Sequence, residues 1–553
     1  LNTHIHLTDR TVKLWYRAVG VSVCGSGFLP DGTNLEGTSF CDAVREAIAQ
    51  DRLIPFLEGL NGFFAIIAEH GDSVVAVVDR VRSIPLFYGV AGDAACVSDD
   101  AEWVRQNVGD REIDEVAKQE FLLTGYVTGV DTLFANVKQV QAGEAVHLQA
   151  AGDGQRVSAT RWYRFLHQEP ERWDESALLF ALNSHTEAAH RRLIDYAAGR
   201  QIALPLSGGY DSRLIATMLK KLGYENVIAF TYGVPGNKES EISRTIAQKL
   251  DIPWHFVEYS NERWRTWFES TERKDYYRMG SGWTSLAHTQ DWPAVWELKE
   301  RGVLDPDAVI VPGHTGDFIC GGHIPQEASS EIQCTAGMLT HTIRRKHYSL
   351  RPWRSDVQGL TDWNRRIMDR AECGEISTPV ELADAFEKWE WQERQAKFIV
   401  NSVRVYDFWG FDWWLPLWDA EFMRFWQGVS LKLRLNKRWY AGYVAKVYGE
   451  RAGVPAHDAR RTERPMTTIA PPVKHIVRLV VPQKVRQCIT RFRTYIKANS
   501  HPLAFWGRVS GNVVRREILR GNARETKGIL VVLFFAELPE LITNYREHKS
   551  ITH

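Results

Sequence analysis

The chain has 553 residues, 44% hydrophobic and 25% charged, which is ordinary globular usage and excludes a disordered or fibrous protein. Lys and Arg together number 68, as do Asp and Glu, so the formal net charge is zero and a wholly basic, nucleic-acid-binding surface is excluded. At roughly 100–200 residues per domain, the length predicts two to four domains.

In chain order, residues 1 to about 165 read as β-rich. Short apolar or alternating runs, Val21–Cys24, Gly62–Ala68, Ser73–Val78, Pro85–Val90 and Glu144–Leu148, are separated by turn signals such as Pro30-Asp31-Gly32. Helical patterns over Phe40–Gln50 and Asp114–Leu123 make this a mixed α+β domain. Asp174–Ala198 has helical periodicity, and the domain junction is placed just before it, near Arg164–Arg172. Strands and helices then alternate: strand Ile202–Leu206, helix Asp211–Leu222, strand Val227–Tyr232, helix Glu239–Leu250, then strands Trp254–Glu258 and Ala308–Pro312. That alternation implies βαβ units and a parallel sheet. From Thr361 to Tyr448 the pattern is mainly helical. The expected domains are 1–168, 169–465 and a basic, mainly helical extension 466–553.

Seven cysteines, Cys24, Cys41, Cys96, Cys320, Cys334, Cys373 and Cys488, are scattered without a CxxC pair, which favours a reducing, cytoplasmic location. Leu1–Arg10 has no apolar signal-peptide core, and the longest clean apolar run, Ile529–Ala536, is far short of the ~20 residues of a spanning helix. Several of the 21 tryptophans, Trp389, Trp391, Trp409, Trp413, Trp414, Trp418 and Trp426, crowd one segment as an aromatic core or as a wall of a substrate pocket. From Arg461 to His553 there are 17 Lys and Arg against 6 Asp and Glu, a net of +11. That excess is a solvated face packed on an acidic neighbour, or a dock for an anionic partner.

The chemistry is concentrated in Leu206-Ser207-Gly208-Gly209-Tyr210-Asp211-Ser212-Arg213, which joins a buried strand directly to a helix. Paired glycines let the backbone approach a ligand, and the first helical N–H groups, unpaired at the positive end of the helix dipole, receive phosphate. Ser207 and Ser212 add hydroxyl donors. A carboxylate among phosphate-binding groups would repel the ligand, so Asp211 calls for a cation, Mg²⁺ by its preference for oxygen ligands. No GK[ST] follows, so this is not a Walker A loop.

This stretch resembles the pyrophosphate loop of the PP-loop ATP pyrophosphatases, specifically the asparagine synthetase group. The resemblance continues through Ala229–Gly236, through Val311-Pro312-Gly313-His314-Thr315-Gly316-Asp317 with Gly321-Gly322-His323 (the family's GEGSDE…GGY loop), and through Gly410–Asp419 (its GxExRxPFLD segment). Upstream, Leu60–Ala65 and Asp79–Tyr88 look like the family's glutaminase-type N-domain. The resemblance implies an Ntn-hydrolase-like α+β sandwich followed by an α/β parallel-sheet PP-loop (HUP-like) domain with a helical C-terminal part. It implies that Ser207, Gly208, Gly209, Asp211 and Ser212 hold ATP phosphates or pyrophosphate, that Asp211 and Asp317 share Mg²⁺, and that Leu206, Tyr232 and Gly313 line the adenosine pocket. The implied reaction is adenylation of a carboxylate, with release of pyrophosphate, followed by attack of a nitrogen nucleophile to form an amide.

Three departures bear on the substrate. The family's glutaminase uses an N-terminal cysteine, whereas this sequence opens Leu1-Asn2-Thr3 and Cys24 lies inside an expected strand. Loss of glutamine hydrolysis is expected, with ammonia, a separate glutaminase or a substrate amine as nitrogen donor. His314 stands where the family has a glutamate, as a general base near neutral pH or as a loop residue without a catalytic role. Trp414 replaces the family's arginine, so a substrate less acidic or more planar than aspartate is expected. Lys437, Arg461 and Arg464 are candidates for the cation that stabilises the α-phosphate in the transition state. The expectation is an AMP-forming amide ligase acting on a small-molecule or sugar carboxylate, with wording similar to relatives in surface-polysaccharide assembly. A homodimer is a further expectation, and no nucleic-acid partner is expected. The rival readings are a glutamine-hydrolysing asparagine synthase with a truncated start, an intramolecular amide-forming cyclase, a PP-loop RNA-modifying enzyme and a non-catalytic binding protein.

Overall fold

A computed structural model of the chain describes residues 3–455 except 72, 93, 152–153, 330–332 and 353–356, and beyond them 488–493, 495–496, 501–504, 507, 511–523 and 526–549. The N-terminal half of the architecture contains eleven strands among the described residues: β1 (Thr3–His6), β2 (Trp15–Ala18), β3 (Val21–Phe28), β4 (Asn34–Glu36), β5 (Asn61–His70), β6 (Ser73–Val78), β7 (Phe87–Ala91), β8 (Ala94–Ser98), β9 (Val137–Gln139), β10 (Glu144–Ala151) and β11 (Gly154–Arg161). They form a seven-stranded sheet, β11-β10-β6-β5-β3-β2 with β4 on β3, and a four-stranded sheet, β1-β8-β7-β9. Alternation along the strands supplies two cores. Val23, Phe64 and Ile66 face Phe40 and Val44 of helix α1 (Gly37–Ala49), while Cys24, Phe63 and Ala65 face the other way, into the cluster that holds Phe87 and Val97 of the second sheet. Helix α3 (Ala101–Val108) closes on β7 so tightly that a side chain at Gly89 would overlap Val108. Between α1 and α3, α2 (Leu53–Gly59) precedes β5. The result is a helix–sheet–sheet–helix sandwich.

After β11, helix α4 (Glu115–Thr124) already behind it in sequence, the chain crosses the expected junction at 164–172 as non-helical backbone and enters α5 (Glu175–Ala197), capped by the Asp174 side chain. Five parallel strands follow: β12 (Ile202–Pro205), β13 (Val227–Gly233), β14 (Trp254–Glu258), β15 (Val309–Ile310) and β16 (Asp412–Trp413). Their order is β14-β13-β12-β15-β16. The chain leaves β12 toward β13 on one side and reaches β15 on the other, so the carboxyl end of β12 is a topological switch point, where open α/β sheets bind ligands. Helices α6 (Tyr210–Lys221) and α7 (Lys238–Lys249) follow β12 and β13. The expected strand 308–312 shortens to two residues: Val311 still donates to the Ala203 carbonyl, but Pro312 has no N–H with which to continue the ladder.

The aromatic crowding belongs to the core. Trp389, Trp391, Trp413 and Trp426 are fully buried, and none of the seven tryptophans of that segment lines the ligand cleft described below. Trp414 corrects the expectation that it shapes the substrate pocket: it stacks on Tyr196 of α5, ring centroids 4.2 Å apart, and meets Phe63 of β5 edge-on, where it joins the two domains. The same seam carries Asn61 and Arg192 on the Asp419 carboxylate and the Arg404 guanidinium on the Ser83 carbonyl. Within the helical part, Trp391–Ile399 is a π-helix, a rare geometry that side-chain periodicity does not announce. Beyond residue 500, Pro502 accepts from the Val234 N–H and Leu503 from the Trp264 indole, and the helix Thr526–Lys549 packs on α4. No helix among the described residues is long and apolar enough to cross a membrane.

One buried pair anchors the loop that carries Asp317. Arg434 and Glu387, both with fully buried side chains, form a two-pronged ion pair, and Arg434 also donates to the Ile319 carbonyl at 2.9 Å. Removing one partner strands a buried charge. Arg434→Met is therefore expected to lower stability by about 3–5 kcal/mol in urea denaturation, and adding Glu387→Leu to restore much of it.

Candidate active site

A cleft of about 1500 Å³ opens at the carboxyl ends of β12, β13 and β15. Its floor is the turn from β12 into α6. Gly209 caps that helix in extended geometry, so the N–H groups of the first turn face the cleft. The turn braces itself: the Ser207 N–H donates to Ser212 Oγ at 3.1 Å, and the Gly209 N–H donates to Ser207 Oγ at 3.1 Å. Across from it, Gly313 approaches so closely that a Cβ there would lie 2.7 Å from the Ser212 nitrogen. Gly316 is equally constrained, because a Cβ would overlap the Asp211 carboxylate. Thr315 between them adopts φ +79°, a left-handed conformation that is strained for a β-branched residue.

The two acids meet across these loops. Asp211 Oδ2 accepts the Asp317 N–H at 3.1 Å, and Oδ1 accepts the Tyr440 hydroxyl at 2.9 Å. Lys437 forms an ion pair with the Asp317 carboxylate. Burial, reinforced by the Asp317 charge, pushes the Asp211 carboxyl up to about 7 against the opposing pull of Lys437. Burial opposes the charge on Lys437, but Asp317, Asp211 and the Cys320 thiol together outweigh it and hold the ammonium above its ordinary value. Among the described residues no group of three or more His, Cys, Asp or Glu side chains forms a metal cluster. The donor set nonetheless fits Mg²⁺, which takes one or two carboxylates and completes its shell with water and substrate phosphates. A divalent ion between Asp211 and Asp317 would relieve the like charge that raises the Asp211 carboxyl.

Of the residues singled out from sequence, Ser207, Gly208, Gly209, Asp211, Ser212, Tyr232, Gly313, His314 and Asp317 all border this one cleft. Leu206 does not, which corrects its assignment to the adenosine pocket. It is 1% exposed, its N–H is paired with the Phe230 carbonyl, and Pro205 reaches the cleft instead, because side chains alternate at the strand end. Lys437 borders the cleft, whereas Arg461 and Arg464 lie outside the described residues. Burial holds the His314 imidazole down to about 4, against the pull of Asp291, so it is neutral at physiological pH. Cys24, whose thiol is pushed up to about 12 by burial and bonded to the Lys13 carbonyl, is an inert core residue. Sequence reasoning missed Tyr440, His288, Asp291, Ser402 and Tyr406. They arrive from separate segments with no motif spacing to mark them.

The switch-point cleft with a glycine-rich phosphate turn, set behind an amidotransferase-like sandwich, defines a two-domain PP-loop protein. The sequence matches the asparagine synthase family over residues 181–478 and the glutamine amidotransferase domain over 32–163. The chain belongs to the asparagine synthase family. Over 93 residues it is 32% identical to the mitochondrial tRNA-specific 2-thiouridylase 1 of Gallus gallus, covering 15% of this chain and 22% of that one. Similar solved structures include an NH3-dependent NAD synthetase from Campylobacter jejuni in complex with nitrate (16% identity, TM-score 0.19, 27% of this chain and 61% of that one). Another is the glutamine phosphoribosylpyrophosphate amidotransferase of B. subtilis (12% identity, TM-score 0.19, 54% and 64%). The chain spans less than two thirds of the length of each of these relatives, and likenesses of this size carry no argument about activity.

Two outcomes follow from the geometry. Because its folded pKa is raised, Asp211 favours the fold when protonated: that contribution is complete below the ordinary value of 3.8 and is lost as pH rises through about 7. Asp211→Asn should therefore raise the stability of the nucleotide-free protein at pH 8 by about 1–3 kcal/mol, with the gain vanishing near pH 4 in thermal melts. Gly316→Ala should displace the Asp211 carboxylate and weaken ATP binding by at least about tenfold in calorimetry, roughly 1.4 kcal/mol.

Proposed function

We propose that this protein is an ATP-dependent amide ligase of the asparagine synthetase type that activates a carboxylate as its adenylate and passes the acyl group to nitrogen. The observation that carries the reading is the facing of Asp211 and Asp317 across a phosphate-sized turn at the sheet's switch point. The amides of Gly208, Gly209 and the first turn of α6 would hold the β- and γ-phosphates, and Tyr232 and Gly313 would flank the nucleoside. Mg²⁺ held by Asp211 and Asp317 would neutralise charge on the phosphates. Lys437, already oriented toward Asp317, would follow the charge that builds as pyrophosphate departs.

The carboxylate oxygen attacks the α-phosphorus, and the bond to pyrophosphate breaks. In the second half-reaction, nitrogen bonds to the acyl carbon as the carbon–oxygen bond to AMP breaks, and the nitrogen gives its surplus proton to a base. His314, neutral and at the cleft wall, serves as that base. A small-molecule or sugar carboxylate is the substrate class. The amidotransferase-like domain supports the dependence on a nitrogen donor.

The test is ATP–pyrophosphate exchange across a panel of carboxylates. Exchange should depend on one carboxylate and on magnesium, and Asp211→Ala should reduce it by at least about 100-fold, close to 2.7 kcal/mol of transition-state stabilisation. Exchange unaffected by Asp211→Ala would overturn the reading.

A further inference from the structure

The turn from β12 into α6 is built on two consecutive glycines, and the peptide between Gly208 and Gly209 has unusual rotational freedom. It is nonetheless held at both ends. The Gly209 N–H donates to Ser207 Oγ at 3.1 Å, and the Gly208 carbonyl accepts from Arg213 Nη2 at 3.0 Å. Ser207 borders the cleft, and its Oγ, having accepted that N–H, keeps its own proton for Ser212 Oγ at 3.1 Å or for a ligand oxygen. Arg213 does not border the cleft: it is 1% exposed and meets the turn from behind.

The placement of Arg213 follows from its helix. Side chains of α6 lean toward its N-terminus, so a residue one turn in reaches back over the helix start. The guanidinium lies over the ring of Tyr210, three residues earlier on the same helix, and over that of Tyr448, with centroids 5.3 and 5.1 Å away. Tyr448 belongs to the helix Arg438–Ala452, whose Tyr440 donates to Asp211. That helix therefore supports the turn at two points, directly at Asp211 and through Arg213 at Gly208. Burial lowers the pKa of Arg213, yet a guanidinium stays protonated in a protein. Its charge polarises the peptide it binds, which makes the N–H at the other end of that peptide a stronger donor.

We propose that Arg213 is a positioning residue for the phosphate end of the nucleotide: it fixes the plane of the Gly208–Gly209 peptide, and with it the donors that the turn presents, without touching the ligand. The inference rests on the reading of this turn as a phosphate site and deepens it. The turn cannot gain rigidity from larger side chains, because a Cβ at position 208 would lie 3.2 Å from Ile242 and one at 209 would lie 3.2 Å from Ser207 Oγ. The clamp supplies that rigidity from outside the loop. A turn already held in one conformation loses less entropy when phosphate binds. A lysine would keep the charge but not the planar fork that lies against two rings while donating to a carbonyl. The nucleoside side is supported separately: Tyr232 stacks on Tyr259, and its hydroxyl accepts from Gln290 Nε2 at 3.2 Å. Loss of Arg213 therefore acts on the phosphates and spares the nucleoside.

The full chain is titrated by calorimetry, in the presence of magnesium, with pyrophosphate, a non-hydrolysable ATP analogue and adenosine. Arg213→Met should weaken pyrophosphate and the analogue by at least about tenfold while adenosine stays within about twofold of the wild type, and Arg213→Lys should fall between the two. A loss of adenosine binding in the same proportion as pyrophosphate would mark a general collapse of the cleft and overturn the proposal, as would unchanged pyrophosphate binding. If Arg213→Met does not fold, judged by circular dichroism, Arg213→Lys decides the same question: a pyrophosphate loss of at least about threefold with adenosine unchanged supports the proposal, and no loss overturns it. Failure of the wild type to bind either pyrophosphate or the analogue would count against the ligase reading itself, whereas wild-type binding combined with an unaltered Arg213→Met would overturn the positioning role alone.

Discussion

The structure turns on the approach of two backbone loops that bring two carboxylates together. Asp211 leaves the first turn of α6 and Asp317 leaves the loop after β15, and the Asp317 N–H reaches Asp211 at 3.1 Å only because positions 313 and 316 are glycine. A methyl group at either position would collide with the phosphate turn or with the acid itself. This close packing of loops costs stability, since it holds the Asp211 carboxyl far above its usual pKa. Strain at Thr315 lies in the same place, as expected where a site over-determines its backbone.

The rest of the molecule keeps those loops in register. The buried Arg434–Glu387 pair fixes the Ile319 carbonyl from behind, and the polar group formed by Glu390, His323 and Lys346 packs on the following turn. The N-domain is joined to the catalytic sheet through Phe63, Trp414 and Tyr196 and through the shared carboxylate of Asp419. Two domains sewn together by buried aromatics and paired charges respond to substrate as one body more readily than domains joined by a polar linker.

The opposite end of the cleft follows a different electrostatic logic. The Asp211 end combines backbone donors with Lys437, whereas at the end near Asp291 and His314 a buried carboxylate accepts the Tyr406 hydroxyl beside a neutral imidazole.

The sequence by itself determined the order of the domains, the parallel βαβ pattern and the Ser207–Ser212 turn, because each of these is local: periodicity of 2 or 3.6, glycine spacing, or a strand ending at a helix; that the turn is met by Gly313–Asp317 was implied only by the resemblance to the asparagine synthetase group. It did not determine that Trp414 would pack between domains, that Leu206 would turn inward, or that residues 391–399 would coil as a π-helix, since these depend on which faces meet after folding. Nor could it bring Asp291, Ser402, Tyr406 and Tyr440 to the cleft. Those side chains are more than a hundred residues apart in places, and only packing of the helical part against the sheet puts them within reach of Asp211 and His314.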